Sequence, residues 1–174
     1  PPFLIAANPR FPARNAGEMI ALARREPGRH TISSAQLDFQ IALLTHRSRI
    51  ELEHIGYRGG APAMTDAISG QVNMVYALIP VLLPAVRDGK LVPIAVTGAE
   101  RSTVLPEVGT MRESGQSTVE SVSWYGIYAP AGTPRAIVDR LSEHTQAFTR
   151  DPEVVAGLTS MGIEPRGSTP EVLG

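Results

Sequence analysis

The chain has 174 residues, of which 43% are hydrophobic and 19% charged, and its net charge is -1 at neutral pH. This balance is typical of a globular protein and gives no general attraction for nucleic acid or an acidic membrane surface. The absence of cysteine excludes disulfides, thiolate zinc sites and a cysteine nucleophile. The longest apolar run, Val72–Val86, is interrupted by Asn73, Pro80 and Pro84, so we expect no direct membrane insertion.

The first hundred residues alternate between strand and helix patterns. Five apolar or alternating runs predict strands at Phe3–Ala7, His30–Ser34, Glu51–Ile55, Val72–Tyr76 and Leu91–Thr97. Helices are predicted between them: one opened by Asn15 and Glu18 in a capping-box pattern and ended by Pro27–Gly28, one over Gln36–Arg47, one from Pro62 to Gly70, and one over Pro80–Arg87. This order predicts an α/β fold with a largely parallel sheet.

The remaining residues predict a strand, helices and a second short strand. The aromatic run Ser121–Ala129 predicts a strand, with Trp124 and Tyr125 in core or inter-lobe packing. Thr133-Pro134 and Asp151-Pro152 are each typical of a helix start, and Ile163–Arg166 predicts a last strand. Ser168 or Thr169 before Pro170 predicts one further helix start.

The paired glycines Gly59-Gly60 stand between a predicted strand and a predicted helix. Their spacing matches neither the dinucleotide fingerprint nor the phosphate-loop motif. Two interpretations stay open: a tight turn, or a site for an anion or small polar ligand where helix N–H groups face the carboxyl ends of parallel strands. Three segments have that position, namely Ser33–Gln36, Tyr57–Ala61 and Tyr76–Leu78.

Catalytic motifs are absent from the sequence. There is no G-x-S-x-G elbow and no H-E-x-x-H pair, and the four histidines stand singly on four predicted elements. Asp66 is a possible general base, but we place it on the first turn of a helix, where an aspartate more often complements the helix dipole. We therefore predict that the chain is not an enzyme and has no catalytic residue.

Several segments together resemble the substrate-binding receptors of tripartite tricarboxylate transporters, the Bug family. The resemblance begins at the Tyr-Arg-Gly-Gly-x-Pro-Ala turn and continues in order through nearly the whole chain. The matching positions are Tyr57–Ala63, Gly70–Val72, Asp88–Leu91, Ala95–Thr97, Arg101-Ser102, Leu105–Val108, Thr110, Ser123–Gly126, Ala129–Pro134 and Asp151–Val154.

The resemblance implies a type II periplasmic-binding-protein-like α/β fold, in which two lobes joined by crossing strands close on a ligand. Residues 1–120 would form the second ligand-binding lobe, with a mostly parallel sheet. Residues 121–174 would supply the return crossover strand and the C-terminal helices of a first lobe whose N-terminal part is absent. The implied protein is periplasmic, with a signal peptide expected upstream of this chain. It captures a small carboxylate, such as a di- or tricarboxylate or an amino acid, for membrane permease subunits, and needs neither cofactor nor metal.

The resemblance also implies a ligand surface on this lobe. Its members are Ser33, Ser34, Ala35, Gln36, Tyr57, Arg58, Gly59, Gly60, Thr65, Asp66 and Ala77. The sequence departs from the family pattern at two of these places. A glycine-rich stretch normally follows the Ser-Ser-Ala segment, whereas Gln36 and Asp38 stand in a shorter loop here, and Ala77 stands where the family commonly has an acidic residue. The shorter loop removes flexible N–H donors from an anion site, and the apolar residue at position 77 suggests an altered ligand or a loss of ordinary carboxylate binding.

Two alternative functions stay open from the sequence. One is the ligand-sensing effector domain of a transcriptional regulator, which shares the two-lobed architecture and needs a helix-turn-helix elsewhere in the gene. The other is an interaction module that derives from the receptor fold without transporting anything.

Overall fold

A computed structural model describes residues 1–173. Its five strands are β1 Phe3–Ala7, β2 Thr31–Ala35, β3 Glu53–Tyr57, β4 Met74–Leu78 and β5 Val92–Val96. Its seven helices are α1 Ala16–Arg25, α2 Asp38–Ser48, α3 Gly60–Ser69, α4 Ile79–Arg87, α5 Arg135–Phe148, α6 Pro152–Ser160 and α7 Pro170–Leu173. Among residues 1–173, no helix combines the length and apolar character that crossing a bilayer requires.

The chain divides into two compact units. The sheet unit, Pro1–Ser123, contains all five strands and α1 to α4, and the helical unit, Trp124–Gly174, contains α5 to α7. The predicted assignment of residues 1–120 and 121–174 to two different lobes stays a prediction.

The five strands form one sheet in the order β3-β2-β4-β1-β5. Strand β2 pairs in parallel with β3 and β4, as the alternating pattern predicts. Strand β1 runs antiparallel to both of its neighbours, so that Ile5 lies opposite Tyr76 on one side and Ala95 on the other. All five residues of β1 are buried because the strand has a neighbour on each edge and helices on each face.

Side chains that alternate along β1 enter two apolar layers. Phe3, Ile5 and Ala7 belong to a cluster with α1 and α2, which contribute Met19, Ile20 and Leu44 among others. Leu4 and Ala6 belong to a second cluster with α3 and α4, which contribute Ala63, Ala67, Leu82 and Leu83 among others. The period-2 alternation of a strand thus places one sheet between two helical layers.

Of the four predicted helix starts, two have the expected side-chain cap, and α7 starts at Pro170 as predicted. The side chain of Asn15 accepts a hydrogen bond from the Glu18 N–H at 2.9 Å and donates one to the Glu18 carboxylate at 2.8 Å. The carboxylate of Asp151 accepts from the backbone N–H groups of Glu153 and Val154. The predicted cap at Thr133 is wrong, since its hydroxyl donates to the Pro130 carbonyl at 2.8 Å and α5 starts after Pro134 without a side-chain cap.

The two strands predicted after residue 120 do not form. Within Ser121–Ala129, pairing is limited to an isolated bridge between Val122 and Pro2, and 163–166 is irregular. Trp124 and Tyr125 are 63% and 72% exposed, so the prediction of core packing for them is wrong, while inter-lobe packing stays a prediction. Aromatic residues favour strands only where a sheet surface receives them, and none of the described strands extends alongside 123–129.

Candidate functional site

The carboxyl ends of three strands meet at one edge of the sheet. Ala35 is paired with Tyr57, and Ser34 with Tyr76, so the chain leaves β2, β3 and β4 on the same side. The predicted segments after β2 and β3 are short connections into α2 and α3. The third predicted segment is not a loop, because Tyr76, Ala77 and Leu78 lie inside β4 and α4 starts at Ile79.

Ser33 and Ser34 are both fully buried, and their hydroxyls have partners within the protein. Ser33 donates to the carbonyls of Ala63 at 3.1 Å and Met74 at 3.2 Å, which joins the end of β2 to α3 and β4. Ser34 points to the other face of β2, where its Oγ lies 2.8 Å from Nε2 of His54 on β3. In this conformation both serines hold strand ends in place.

His54 also contacts the start of α2. Its Nδ1 lies 3.5 Å from Oδ1 of Asp38, and the side chains of His54 and Asp38 are 22% and 82% exposed. We term Ser34, His54 and Asp38 the histidine bridge. Their order matches that of a Ser-His-Asp triad, but Ser34 is fully buried, so its hydroxyl is not accessible to a substrate as a nucleophile.

The sequence analysis missed this bridge because it treated each histidine separately. Two signals in the sequence could have revealed it. Parallel pairing of β2 with β3 places Ile32 opposite His54, which brings the next inward residue, Ser34, close to the imidazole. A two-residue connection then brings Asp38 back over the same strand end.

The connection between β2 and α2 contains a strained residue. Gln36 has a φ of 56°, in the left-handed region that glycine adopts without a steric penalty. The backbone therefore keeps a glycine-like conformation at the position where the resemblance expects the glycine-rich stretch. Leu37 at the start of α2 provides no side-chain cap, and Asp38 places a carboxylate in the first turn.

The start of α3 differs from the start of α2 in its charge, because it has no carboxylate in its first turn. Gly59 is its N-cap and gives no side-chain cap, and no acidic residue lies in the first turn. The geometry of a helix leaves the N–H groups of Gly60 and Ala61 without intrahelical acceptors, and the exposed Arg58 precedes them. A Cβ on Gly60 would lie 3.2 Å from Cγ1 of Val81, so glycine allows α3 to approach α4 closely. This end of α3 is positively polarised and suits an anion.

Tyr57 and Asp66 form a hydrogen-bonded pair beside this helix start. The Tyr57 hydroxyl donates to Oδ2 of Asp66 at 2.5 Å. This hydrogen bond, burial and the negative charge of Asp66 together raise the pKa of Tyr57. The prediction that Asp66 lies on the first turn is wrong, because α3 already starts at Gly60. The hydroxyl of Thr65 donates to the Ala61 carbonyl at 3.0 Å, within the same helix.

Ala77 does not face the open edge. Its side chain is buried in the cluster shared with α3 and α4, and its backbone pairs with Leu4. The eleven predicted site residues thus divide into buried supports (Ser33, Ser34 and Ala77) and residues that surround the two strand-to-helix turns (Ala35, Gln36, Tyr57, Arg58, Gly59, Gly60, Thr65 and Asp66).

The segment predicted as the return crossover lies at the same edge, beside the start of β1 and the end of β5. Pro2 forms a bridge with Val122, and the Ser123 N–H donates to the Pro1 carbonyl at 2.8 Å. Thr97 joins them, because its Oγ1 accepts from the Phe3 N–H at 3.1 Å and donates to the Ser121 carbonyl at 2.6 Å. The Tyr76 hydroxyl is buried near Thr97 and Ser121 without a hydrogen bond of ordinary geometry to any described residue.

Comparison with known proteins identifies the family. Residues 1–170 match the model of the tripartite tricarboxylate transporter family receptor. The chain belongs to that family. It is 35% identical to a UPF0065 protein from the tcbD-tcbE intergenic region of Pseudomonas sp. (strain P51), over 98% of this chain and 52% of the relative. It is 29% identical to Protein BugT of Bordetella pertussis (strain Tohama I), over 98% and 53%.

Several solved structures share the fold of this chain. R. palustris Rpa4515 with adipate gives a TM-score of 0.91 at 28% identity and covers 99% of this chain and 59% of that one. MatC from Rhodopseudomonas palustris with bound malate gives 0.82 at 27%, over 98% and 58%. The periplasmic binding protein BugD gives 0.85 at 30%, over 99% and 60%. The predicted family and fold class are confirmed, and the chain spans about half the length of the curated relatives it matches.

Proposed function

We propose that this chain supplies one side of the carboxylate-binding cleft of an extracytoplasmic solute receptor. The observation that carries the proposal is the start of α3, which follows Arg58, has no acidic residue in its first turn and lies at the carboxyl edge of the sheet. Arg58 would contribute a full positive charge, and the backbone N–H groups of Gly60 and Ala61 would donate to a carboxylate oxygen. Receptors of the same fold hold adipate and malate.

The remaining predicted site residues have supporting roles in this proposal. Ala35 and Gln36 border the cleft from the neighbouring turn. The hydrogen bond from the Tyr57 hydroxyl to the Asp66 carboxylate joins the end of β3 to α3. Thr65 lies further along that helix. The buried Ser33, Ser34 and Ala77 keep the ends of β2 and β4 in position.

We also propose the location and partners that the family implies. The receptor acts in the periplasm and delivers its ligand to membrane permease subunits. Closure on the ligand is a hinge motion around Thr97, whose side chain joins its own backbone segment to those of Phe3 and Ser121. No catalytic step is needed for this function, and none of its parts requires a metal or cofactor. Family membership favours the receptor over the effector domain of a regulator.

Calorimetric titration of the complete gene product with adipate and malate tests the proposal. We expect measurable binding, and a loss of about tenfold or more in affinity for Arg58→Ala, the effect of one charge-assisted contact. Arg47→Ala, which removes an exposed arginine from the far end of α2, is the matched control and should bind like the wild type.

Two results would count against the proposal. If no carboxylate from a panel of di-, tri- and amino acids binds, the receptor function is wrong for this member, and the interaction-module alternative gains support. If Arg58→Ala and Arg47→Ala bind equally well, the start of α3 is not the anion site.

A further inference from the structure

The histidine bridge connects the candidate site to an ionisable side chain. His54 reaches Ser34 at the end of β2 and Asp38 in the first turn of α2. His54 therefore contacts a residue on each side of the strained turn at Gln36, namely Ser34 before the turn and Asp38 after it. Histidine is the residue whose charge normally changes between pH 5 and 8.

The two contacts of His54 persist through a change of protonation, but their polarity does not. When the ring is neutral, one of its nitrogens carries a proton and the other is an acceptor, so the tautomer sets the direction of the hydrogen bond with Ser34, while Nδ1 lies 3.5 Å from the Asp38 carboxylate. When the ring is protonated, both nitrogens donate and Ser34 becomes an acceptor. The net charge of the His54–Asp38 pair changes from -1 to 0, so the start of α2 loses its net repulsion of an anion.

The other charged groups around His54 do not duplicate this effect. Asp38 is the titratable residue of α2 that contacts the imidazole. On its own strand, Glu53 and Tyr57 are at odd spacing from His54 and so lie on the other face of β3, where Tyr57 is held by Asp66 of α3. Arg58 stays positively charged throughout this range. On the neighbouring strand β2, the residues facing His54 are Ile32 and Ser34, which carry no charge.

We propose that His54 is a positioning residue that makes carboxylate capture by this receptor pH-dependent, with stronger binding at lower pH. The proposal rests on the proposed function, since it concerns the same site. Protonation of His54 neutralises Asp38 beside the turn at Gln36, and a bound carboxylate in turn favours the protonated ring. By linkage, binding is accompanied by proton uptake, which a receptor without the bridge would not show.

The test is a calorimetric titration of the complete gene product with malate at pH 6.2 and pH 8.2, where the carboxylates of the ligand are ionised. We expect about fivefold tighter binding at pH 6.2, as for one partly screened unit charge. Titrations at pH 7 in buffers of different ionisation enthalpy should show net proton uptake. His54→Gln keeps a donor and an acceptor without a titrating charge and should remove both the pH dependence and the proton uptake.

Two further variants separate a charge effect from a folding effect. Asp38→Asn removes the negative charge of an exposed side chain; we expect it to bind more tightly than the wild type at pH 8.2 and to keep a pH dependence, because His54 still gains a charge. His46→Gln removes another histidine, from the exposed side of α2, and should behave like the wild type. A wild type whose affinity is equal at both pH values, or a pH profile that His54→Gln leaves unchanged, would overturn the role of His54 alone. A wild type that binds no carboxylate at either pH would overturn the proposed function as well.

Discussion

The sheet unit and the helical unit use the same kinds of residues with different results. In the sheet unit, five strands lie between two helical layers, and the large apolar side chains of β1 are buried together with Met74, Val75 and Tyr76 of β4. In the helical unit, Ile137, Leu141 and Phe148 form an apolar stripe along α5, yet all three are exposed, as are Tyr125 and Tyr128. Amphipathic spacing specifies a face, and only a packed neighbour converts that face into stability.

The largest difference between the units should appear in hydrogen exchange. Amides of β1 and β4 are bonded on both sides within the sheet and should exchange by global unfolding, whereas amides of α5 should exchange by local opening. We expect protection factors in the strands to exceed those in α5 by about a thousandfold or more. Exchange measured by NMR or mass spectrometry on the intact chain checks this. Equal protection in the two units would show that α5 is stabilised by packing.

Two isoleucines allow a matched comparison of core strength. Ile5 is 0% exposed in the centre of the sheet, and Ile137 is 51% exposed on α5. Ile5→Ala should lower the free energy of unfolding by about 3 to 4 kcal/mol, because it leaves a cavity between β1 and the helices. Ile137→Ala should change it by less than about 1 kcal/mol. Urea unfolding followed by circular dichroism measures both, and similar losses would contradict the comparison.

Alkaline pH should destabilise the sheet unit through Tyr76. Burial raises the pKa of Tyr76 from its ordinary value of 10.0 to about 12, which Thr97 and Ser121 partly oppose. The unfolded chain ionises first, so stability is fully present below pH 10 and falls as the pH rises from 10 to 12, by about 2 to 3 kcal/mol in total. Unfolding measured across this range should show the fall in the wild type and a smaller one in Tyr76→Phe. An equal fall in both proteins would assign it to other groups.

The smallest expected difference concerns the two helix caps. Asn15→Ala removes the reciprocal bonds with Glu18 at the start of α1 and should cost the sheet unit about 1 kcal/mol. Asp151→Ala removes the same kind of cap from α6 and should leave the unfolding midpoint of the sheet unit unchanged, with faster exchange confined to α6. A shift of that midpoint by Asp151→Ala would show that the two units unfold together.

The alternation of elements in the sheet unit could be predicted because each has a clear period and a clear stop. Gly70 ends α3 with a φ of 86°, and Asn15 starts α1, both where the sequence predicts them. The direction of β1 could not be predicted, because the alternation in Phe3–Ala7 reads the same for a parallel and an antiparallel strand. The prediction of a strand over Ser121–Ala129 is wrong for a related reason. A propensity for strands does not show whether a partner strand is present.

The candidate site could be predicted in its location but not in its chemistry. The turns at Gln36 and Gly59 lie at the edge where parallel strands end, as the topology predicts. The hydroxyl partners of Ser33 and Ser34 depend on which face each residue takes, and an offset of one residue reverses that assignment. The strand bounds were placed one or two residues too early for β2, β3 and β4. The resemblance supplied the carboxylate, whereas residue patterns alone allowed any anion or small polar ligand.

The position of β1 between β4 and β5 has a consequence for how the chain folds. Residues 3–7 are synthesised before their partners on β4 and β5, which follow about 70 and 90 residues later. The five apolar residues of β1 therefore have no strand partner while the residues of β2 and β3 are being synthesised. Such long-range pairing slows folding, and an unpaired apolar strand is prone to aggregate during that interval. Newly made protein should thus depend on a holding chaperone until Val96 has been synthesised.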